Sequence, residues 1–362
     1  MAAGNYNPCG GELIMSNSAP LHGGNLEYYA KHYDIAREHW LDLSTGINPC
    51  AYPLPPIPPS ILHTLPYSDP AFEQAAARYY RSERLLAIPG SQWAIEQLPR
   101  CFPCGSVALP AVGYREHIYQ WQRCGHEALL YEASSLRASL PELLVDDLRA
   151  VVVINPNNPS TDCFDADALR DIADRLKSHN IVLIVDEAFI DAQPASSLLN
   201  AELPDNAIVL RSFGKFFGLP GVRLGFVIGE CTIMNKLRER LGLWSVNAVA
   251  QHAGRIAFAD QTWQHSMQQQ LMGWGAEYHR RLANLIGAEN TITSGYTALY
   301  ASFLMERTNA QRWFNACARH GILVRLWDVD SRHAYLRFGL VRPDDQKAYE
   351  RLEAALLEAG QA

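Results

Sequence analysis

The sequence predicts an α/β fold: a large three-layer domain with a mostly parallel sheet, followed by a smaller α/β domain at the C-terminal end. Three observations carry this expectation. Ala150-Val151-Val152-Val153-Ile154 and Ile181-Val182-Leu183-Ile184-Val185 are near-continuous apolar runs, the pattern of parallel strands covered on both faces. Between them Leu169, Ile172, Ala173 and Leu176 recur at helical spacing behind Asp165, a helix cap, which makes a right-handed strand–helix–strand unit. Beyond a long helical stretch around Gln251 to Ile286, the segments Thr297 to Met305, Ile322 to Leu326 and Tyr335 to Phe338 read as strands of the second domain. A helix over Asp344 to Ala359 closes it. The predicted division is an N-terminal arm over 1–48 packing with the small domain, a large domain over 49–255 and a small domain over 256–362.

Composition bounds the possibilities. A chain of 362 residues, 48% hydrophobic and 19% charged, is long enough for two domains and a large core. Its net charge of -7, with scattered basic residues, argues against a nucleic-acid surface. No basic segment leading into an apolar signal core opens the sequence, and no run of about eighteen apolar residues occurs, so a cytoplasmic protein without a membrane span is expected. The eight cysteines are scattered and read as reduced thiols. Cys101-Phe102-Pro103-Cys104 stands alone, with no second pair at zinc-ligand spacing, so no metal site is expected.

In chain order, a short helix over Leu26 to Ile35 follows His22-Gly23-Gly24. Pro49 to Pro70 holds eight prolines, which exclude a regular helix or a central strand and predict an extended surface passage containing Tyr67. Ala71 to Tyr80 is helical. Leu85-Leu86-Ala87-Ile88 then leads into Pro89-Gly90-Ser91-Gln92, a strand, a small-residue turn and a helix start that together make an anion cradle of Gly90, Ser91 and Gln92. Val107 to Pro110 is a further strand, with Tyr114 just after it.

The strand at 150–154 ends in Asn155-Pro156-Asn157-Asn158-Pro159, where amide side chains project from the strand's C-terminal end, the place at which open α/β sheets bind ligands. Asp186 emerges after five apolar residues and needs a cationic partner. The strand Ala207 to Leu210 delivers Ser212 and Lys215 into a segment broken by Gly214, Gly218, Pro220 and Gly221, with Arg223 following. Aromatic and glycine neighbours desolvate Lys215 and lower its pKa, and a lysine of that kind forms Schiff bases. A hydroxyl, an ammonium and a guanidinium at one end of a sheet suit an anionic cofactor bound through an amine.

The Ser212-x-x-Lys215 segment with Arg223 behind it, the Asn155–Pro159 segment and Val185-Asp186-Glu187-Ala188-Phe189 resemble, in order and spacing, the motifs of fold-type I pyridoxal-phosphate enzymes of the class I/II aminotransferase group. His22-Gly23-Gly24, Asp42-Leu43-Ser44-Thr45-Gly46-Ile47-Asn48-Pro49, Arg211-Ser212-Phe213-Gly214-Lys215 and Trp244-Ser245-Val246-Asn247-Ala248 carry a narrower likeness. It is to the threonine-phosphate decarboxylase family of cobalamin biosynthesis, relatives of the histidinol-phosphate aminotransferases. Phe189, where many aminotransferases have tyrosine, agrees with that narrower likeness.

The resemblance implies that Lys215 carries pyridoxal 5′-phosphate as a Schiff base and that Asp186 pairs with its ring nitrogen. It also implies that Asn158 hydrogen-bonds the phenolic oxygen and that Gly90, Ser91, Gln92, Ser212 and Arg223 hold the phosphate. Tyr114 stacks on the ring, with His117 or Tyr119 as alternatives. Arg337 takes the substrate carboxylate; Arg332 and His22 are candidates for the substrate phosphate, and Asn48 is a further substrate residue. Tyr67 reaches across to the partner's cofactor phosphate, which implies a homodimer with a shared active site. The implied reaction is decarboxylation of O-phospho-L-threonine to (R)-1-amino-2-propanol O-2-phosphate, with Lys215, a water or a tyrosine returning the proton. The alternative is a histidinol-phosphate-type aminotransferase; a third reading, a binding protein on the same fold, has Lys215, Asp186, Asn158 and Arg223 against it.

Overall fold

The computed structural model describes residues 23–230 and 232–361. Its centre is a seven-stranded sheet: β1 (Leu85–Ile88), β2 (Ser106–Pro110), β3 (Glu127–Tyr131), β4 (Leu148–Ile154), β5 (Val182–Asp186), β6 (Ala207–Ser212) and β7 (Gly225–Gly229). The spatial order is β1-β7-β6-β5-β4-β2-β3. Only β7 runs against its neighbours; the pairs from β6 to β3 are all parallel. Alternation along each strand feeds two cores. Val151, Val153, Val185 and Val209 enter one; Ala150, Val152, Ile184 and Ile208 enter the other. The sheet is therefore the middle of three layers, which is why its strands carry apolar residues at consecutive positions.

The crossover helix Ala166–Lys177 starts where expected, with Asp165 Oδ1 accepting from Ala168 N at 2.7 Å. Its Leu169, Ile172, Ala173 and Leu176 are all buried. The long helical stretch is two helices, Ala248–Ala259 and Gln261–Ile286. Asp260 separates them: it leaves helical geometry (φ -88°, ψ 75°), and its carboxylate caps the second helix at Trp263 N, 3.0 Å away.

A second sheet holds β8 (Thr293–Tyr296), β9 (Tyr300–Glu306), β10 (Arg325–Asp328) and β11 (His333–Gly339), all antiparallel, in the order β10-β11-β9-β8. The expected strand from Ile322 to Leu326 divides at Val324. Ile322–Leu323 pairs in parallel with Leu41–Asp42 of the arm, and β10 joins the second sheet. The arm's helix spans Leu26–Tyr33 and stops before Ile35, because Asp34 turns left-handed (φ 53°). Tyr33 reaches Asn315 of the helix Arg307–Arg319 with a 3.3 Å hydrogen bond. Among the described residues no helix is long and apolar enough to cross a membrane.

Candidate active site

The strand polarity places the chemistry-bearing residues on one rim. Parallel β4, β5 and β6 end in turn at Ile154, Asp186 and Ser212, with Ile154 opposite Asp186 and Asn155 next in the chain. Because β7 is reversed, its first residue, Gly225, is opposite both Ser212 and Ile88. Gly90, Asn158, Asp186, Ser212, Lys215 and Arg223 all follow from that edge.

Lys215 sits on a single helical turn, Phe213–Phe216, anchored by buried Phe213 and Phe216. Only glycine fits at 214, since a Cβ there would lie 2.7 Å from Pro220 Cα. The arm clamps this turn from the other side. Asn48 N donates to Lys215 O at 3.0 Å and Asn48 Nδ2 to Phe216 O at 2.8 Å. Lys215 Nζ donates to Thr45 O at 2.9 Å and lies 5.0 Å from the centre of the Phe189 ring. Burial, helped by the Arg337 charge, pushes its pKa down to about 8, against the pull of Asp186 and Asp42. The amine is thus poised as a nucleophile near neutral pH.

Asp186 is buried; its Oδ1 accepts from Ala188 N at 3.0 Å and its Oδ2 lies 2.9 Å from His117 Nε2. On the other side, Asn158 Oδ1 accepts from Arg337 Nη1 at 2.5 Å, and Arg337 Nη2 donates to the Ser44 carbonyl. Arg337 lies 5.1 Å from the Tyr300 ring centre, and burial draws its pKa down to about 10. Its Nε is buried without a partner. A buried guanidinium that meets carbonyls rather than carboxylates retains its charge for an incoming anion.

Gly90 takes a positive φ of 85°, and a Cβ there would come within 2.6 Å of Arg223 Nη2. A Cβ on Gly225 would strike Ser91 N at the same distance. The two glycines thus let the Gly90–Ser91 turn, Arg223 and the end of β6 close around one small space, a cradle for an anion. Lys215 for a carbonyl carbon, Asp186 for a cationic ring nitrogen and this cradle for a phosphate together fit a planar, amine-bound anionic group. The Gln92 side chain accepts from Tyr114 Oη at 3.1 Å and donates to Glu96 and Glu116 at 3.0 and 3.1 Å. Half-buried Tyr114 stands edge-on to His117, 6.4 Å between ring centres.

Two expected residues, Asn48 and Arg332, are placed elsewhere. The Asn48 side chain is spent on backbone, with Oδ1 accepting from Cys50 N at 2.9 Å; it secures the lysine turn and does not face the cleft. Arg332 lies on the exposed turn before β11, roughly 16 Å along that strand from Arg337 at the usual rise per residue. Arg325 is the arginine directly opposite Arg337. Tyr67 is 68% exposed. His22 lies outside the described residues. Sequence reasoning missed the pairing of His117 with Asp186 and the two arm carbonyls on Lys215 and Arg337. The first had a signal in a histidine beside Tyr114; the second, being backbone, had none.

A family model described as aminotransferase class I and II matches residues 58–346. Threonine-phosphate decarboxylase of Pseudomonas aeruginosa is 40% identical over 336 residues, covering 93% of this chain and 97% of its own. A histidinol-phosphate aminotransferase of Mesorhizobium japonicum is 26% identical over 338 residues, 86% of this chain and 87% of its own. Among solved structures, L-threonine-O-3-phosphate decarboxylase of Porphyromonas gingivalis superposes with a TM-score of 0.67 at 16% identity, covering 94% of this chain and 97% of that one.

Proposed function

Because the chain belongs to the class I and II aminotransferase family, and within it to the threonine-phosphate decarboxylases, we propose that it decarboxylates O-phospho-L-threonine to (R)-1-amino-2-propanol O-2-phosphate, for cobalamin assembly, with pyridoxal 5′-phosphate as cofactor. The observation that carries this reading is the near-full-length likeness to the Pseudomonas relative, well above that to the aminotransferase.

The residues fit the cofactor. Lys215 would hold it through its amine, Asp186 would face the ring nitrogen, Asn158 the phenolic oxygen, and Ser212, Arg223 and the Gly90–Ser91 turn the phosphate, with Tyr114 beside the ring. When bound, the cofactor would supply an electron sink for decarboxylation at Cα. Arg337 orients the substrate by its carboxylate through a planar fork. Arg325, on the neighbouring strand, takes the place expected of Arg332 toward the substrate phosphate. Lys215, whose buried amine has its pKa lowered to about 8 and so can both hold and release a proton near neutral pH, returns a proton to Cα. Asp186, whose carboxylate is positioned by His117 at 2.9 Å, would face the ring nitrogen and favour its protonated form.

The division into an arm over 1–48, a cofactor domain over 49–255 and a small domain over 256–362 is part of the same proposal, as are a cytoplasmic location and a homodimer. Supporting the dimer, exposed Tyr67, Leu65 and Leu62 (68, 49 and 65%) lie on the proline-rich passage. Pro66 and Ser68 from that passage line a cavity of about 470 Å³ together with Trp244, itself 48% exposed. Apolar surface of this kind marks an interface, and Tyr67 would enter the partner's site.

The test is to incubate the cofactor-loaded protein with O-phospho-L-threonine and follow carbon dioxide, with histidinol phosphate and 2-oxoglutarate in a parallel sample. Stoichiometric carbon dioxide without glutamate supports the decarboxylase. Glutamate without carbon dioxide would assign the aminotransferase instead.

A further inference from the structure

We propose that Tyr300 is a positioning residue: it holds the Arg337 fork in place relative to the lysine side of the site, so that the substrate's carboxylate meets the fork in one orientation. The inference rests on the reading of Arg337 as the group that takes that carboxylate. In the β9–β11 pair Ser302 is directly opposite Arg337. Tyr300 is two residues back on the same face, a diagonal neighbour within reach of a long side chain. The Arg337 guanidinium accordingly lies 5.1 Å from the Tyr300 ring centre, and Tyr300 is fully buried.

Segments from both sheets and the arm meet on this one side chain. Its hydroxyl donates to the Asn157 carbonyl at 2.9 Å, one residue before Asn158, whose Oδ1 accepts from Arg337. The contacts close on themselves: ring to guanidinium, guanidinium to Asn158, and Asn157 back to the hydroxyl. The Tyr300 ring also stands at 74° to that of Phe189, 5.1 Å between centres, and Phe189 is the ring beside Lys215 Nζ. The arm packs on both rings at Gly46, where a Cβ would lie 3.1 Å from Phe189 Cε1 and 3.5 Å from Tyr300 Cδ1. Burial raises the Tyr300 pKa above its ordinary value, against the Arg337 charge, so the hydroxyl keeps its proton and remains a donor. A guanidinium resting on a ring anchored in this way has lost its freedom to swing before the substrate arrives, and such preorganisation strengthens binding. A tyrosine serving the core alone would stabilise the fold without favouring one ligand over another.

The test compares wild type, Tyr300→Phe and Tyr300→Leu as cofactor-loaded enzymes. The ligands are O-phospho-L-threonine and (R)-1-amino-2-propanol O-2-phosphate, which lacks the carboxylate. Affinities are read from the change in cofactor absorbance, and turnover from carbon dioxide release. Tyr300→Phe keeps the ring, and Asn157 O retains its bond from Thr161 N at 2.8 Å, so the fold should hold; a melting curve checks each variant. We expect Tyr300→Phe to weaken O-phospho-L-threonine by about 3- to 10-fold, as for loss of one neutral hydrogen bond, and to leave the carboxylate-free ligand as in wild type. Tyr300→Leu, which removes the ring face as well, should lose more of the same preference. In an Arg337→Gln background Tyr300→Phe should change O-phospho-L-threonine binding by less than about twofold, because the tyrosine acts through the arginine. If Tyr300→Phe weakens both ligands alike, or neither, the inference is overturned while the proposed function stands. If wild type releases no carbon dioxide from O-phospho-L-threonine, the proposed substrate fails and the inference falls with it.

Discussion

His117 Nε2 lies 2.9 Å from Asp186 Oδ2, and both side chains are almost fully buried. An ionised carboxylate only accepts, so the proton of this contact is on the imidazole. The pair joins the first turn of the helix Glu116–Arg123 to the end of β5 and fixes where the carboxylate points. Replacing the donor should therefore loosen the cofactor without removing the charge that holds it. His117→Phe should weaken cofactor retention by about 10-fold, the worth of one hydrogen bond to a charged group, whereas Asp186→Ala should abolish turnover. Equilibrium dialysis of the cofactor, with activity measured at saturating cofactor, checks both.

Lys215 supplies a pH prediction. Burial and Arg337 hold its pKa near 8 rather than 10.5, so the folded chain disfavours the charged amine. That penalty is full below pH 8, shrinks as pH rises through the interval, and is gone above 10.5, where folded and unfolded amines are both neutral. In cofactor-free protein Lys215→Met should accordingly raise Tm relative to the parent at neutral pH and lose most of the gain near the upper limit. Cofactor uptake depends on the neutral amine, about one tenth of molecules at pH 7 for such a pKa. Its rate should climb with pH and level off just above 8; a rate still rising toward 10.5 would contradict the depressed pKa.

Much of this site was legible in the chain because it hangs on strands with little ambiguity. The runs before Asn155 and Asp186 are apolar at every position, and that before Ser212 is apolar up to Arg211, as buried parallel strands ask. Their C-terminal ends then had to share a rim. What was not legible depends on tertiary approach or on backbone. His117 lies far from Asp186 in sequence and on a different element. The carbonyls of Ser44 and Thr45 have no residue signature at all. Arg332 and Arg325 are both arginines near Arg337 in sequence, and only the pairing of β10 with β11 brings Arg325 opposite it. Asn48 has the composition of a ligand but is used to hold the lysine turn. The helix break at Asp260 was hidden because the apolar pattern continues across it.

A buried ion cluster lies one residue away from two of the site residues. Arg211, beside Ser212, donates to Glu187, beside Asp186, at 2.8 Å and to Asp191 as well. Glu187 also accepts from Ser197 Oγ and Leu198 N, each at 2.7 Å. Side chains alternate along a strand, so this cluster is under the sheet while Asp186 and Ser212 are on the rim. Arg211→Met would leave two carboxylates buried without their cation, at a cost of about 3–5 kcal/mol. Chemical denaturation should register that loss directly. Adding Glu187→Gln to Arg211→Met should recover part of it, since one of the stranded charges is then removed.

Tyr67 offers the test of a shared site. It stands on the surface, 68% exposed, on the passage between the arm and the helix Pro70–Tyr80, whereas Lys215 is held inside its own protomer by Thr45. If the tyrosine serves the partner's cofactor phosphate, Tyr67→Ala and Lys215→Ala impair the same site from different chains. Mixing the two variants, unfolding and reassociating them should then produce hybrids in which one site has both an intact lysine and an intact tyrosine. Random pairing of a two-fold symmetric dimer predicts recovery to about a quarter of wild-type activity. No recovery, with hybrids demonstrated by mass or charge, would place Tyr67 outside the site. A monomer at working concentrations by sedimentation would remove the premise altogether.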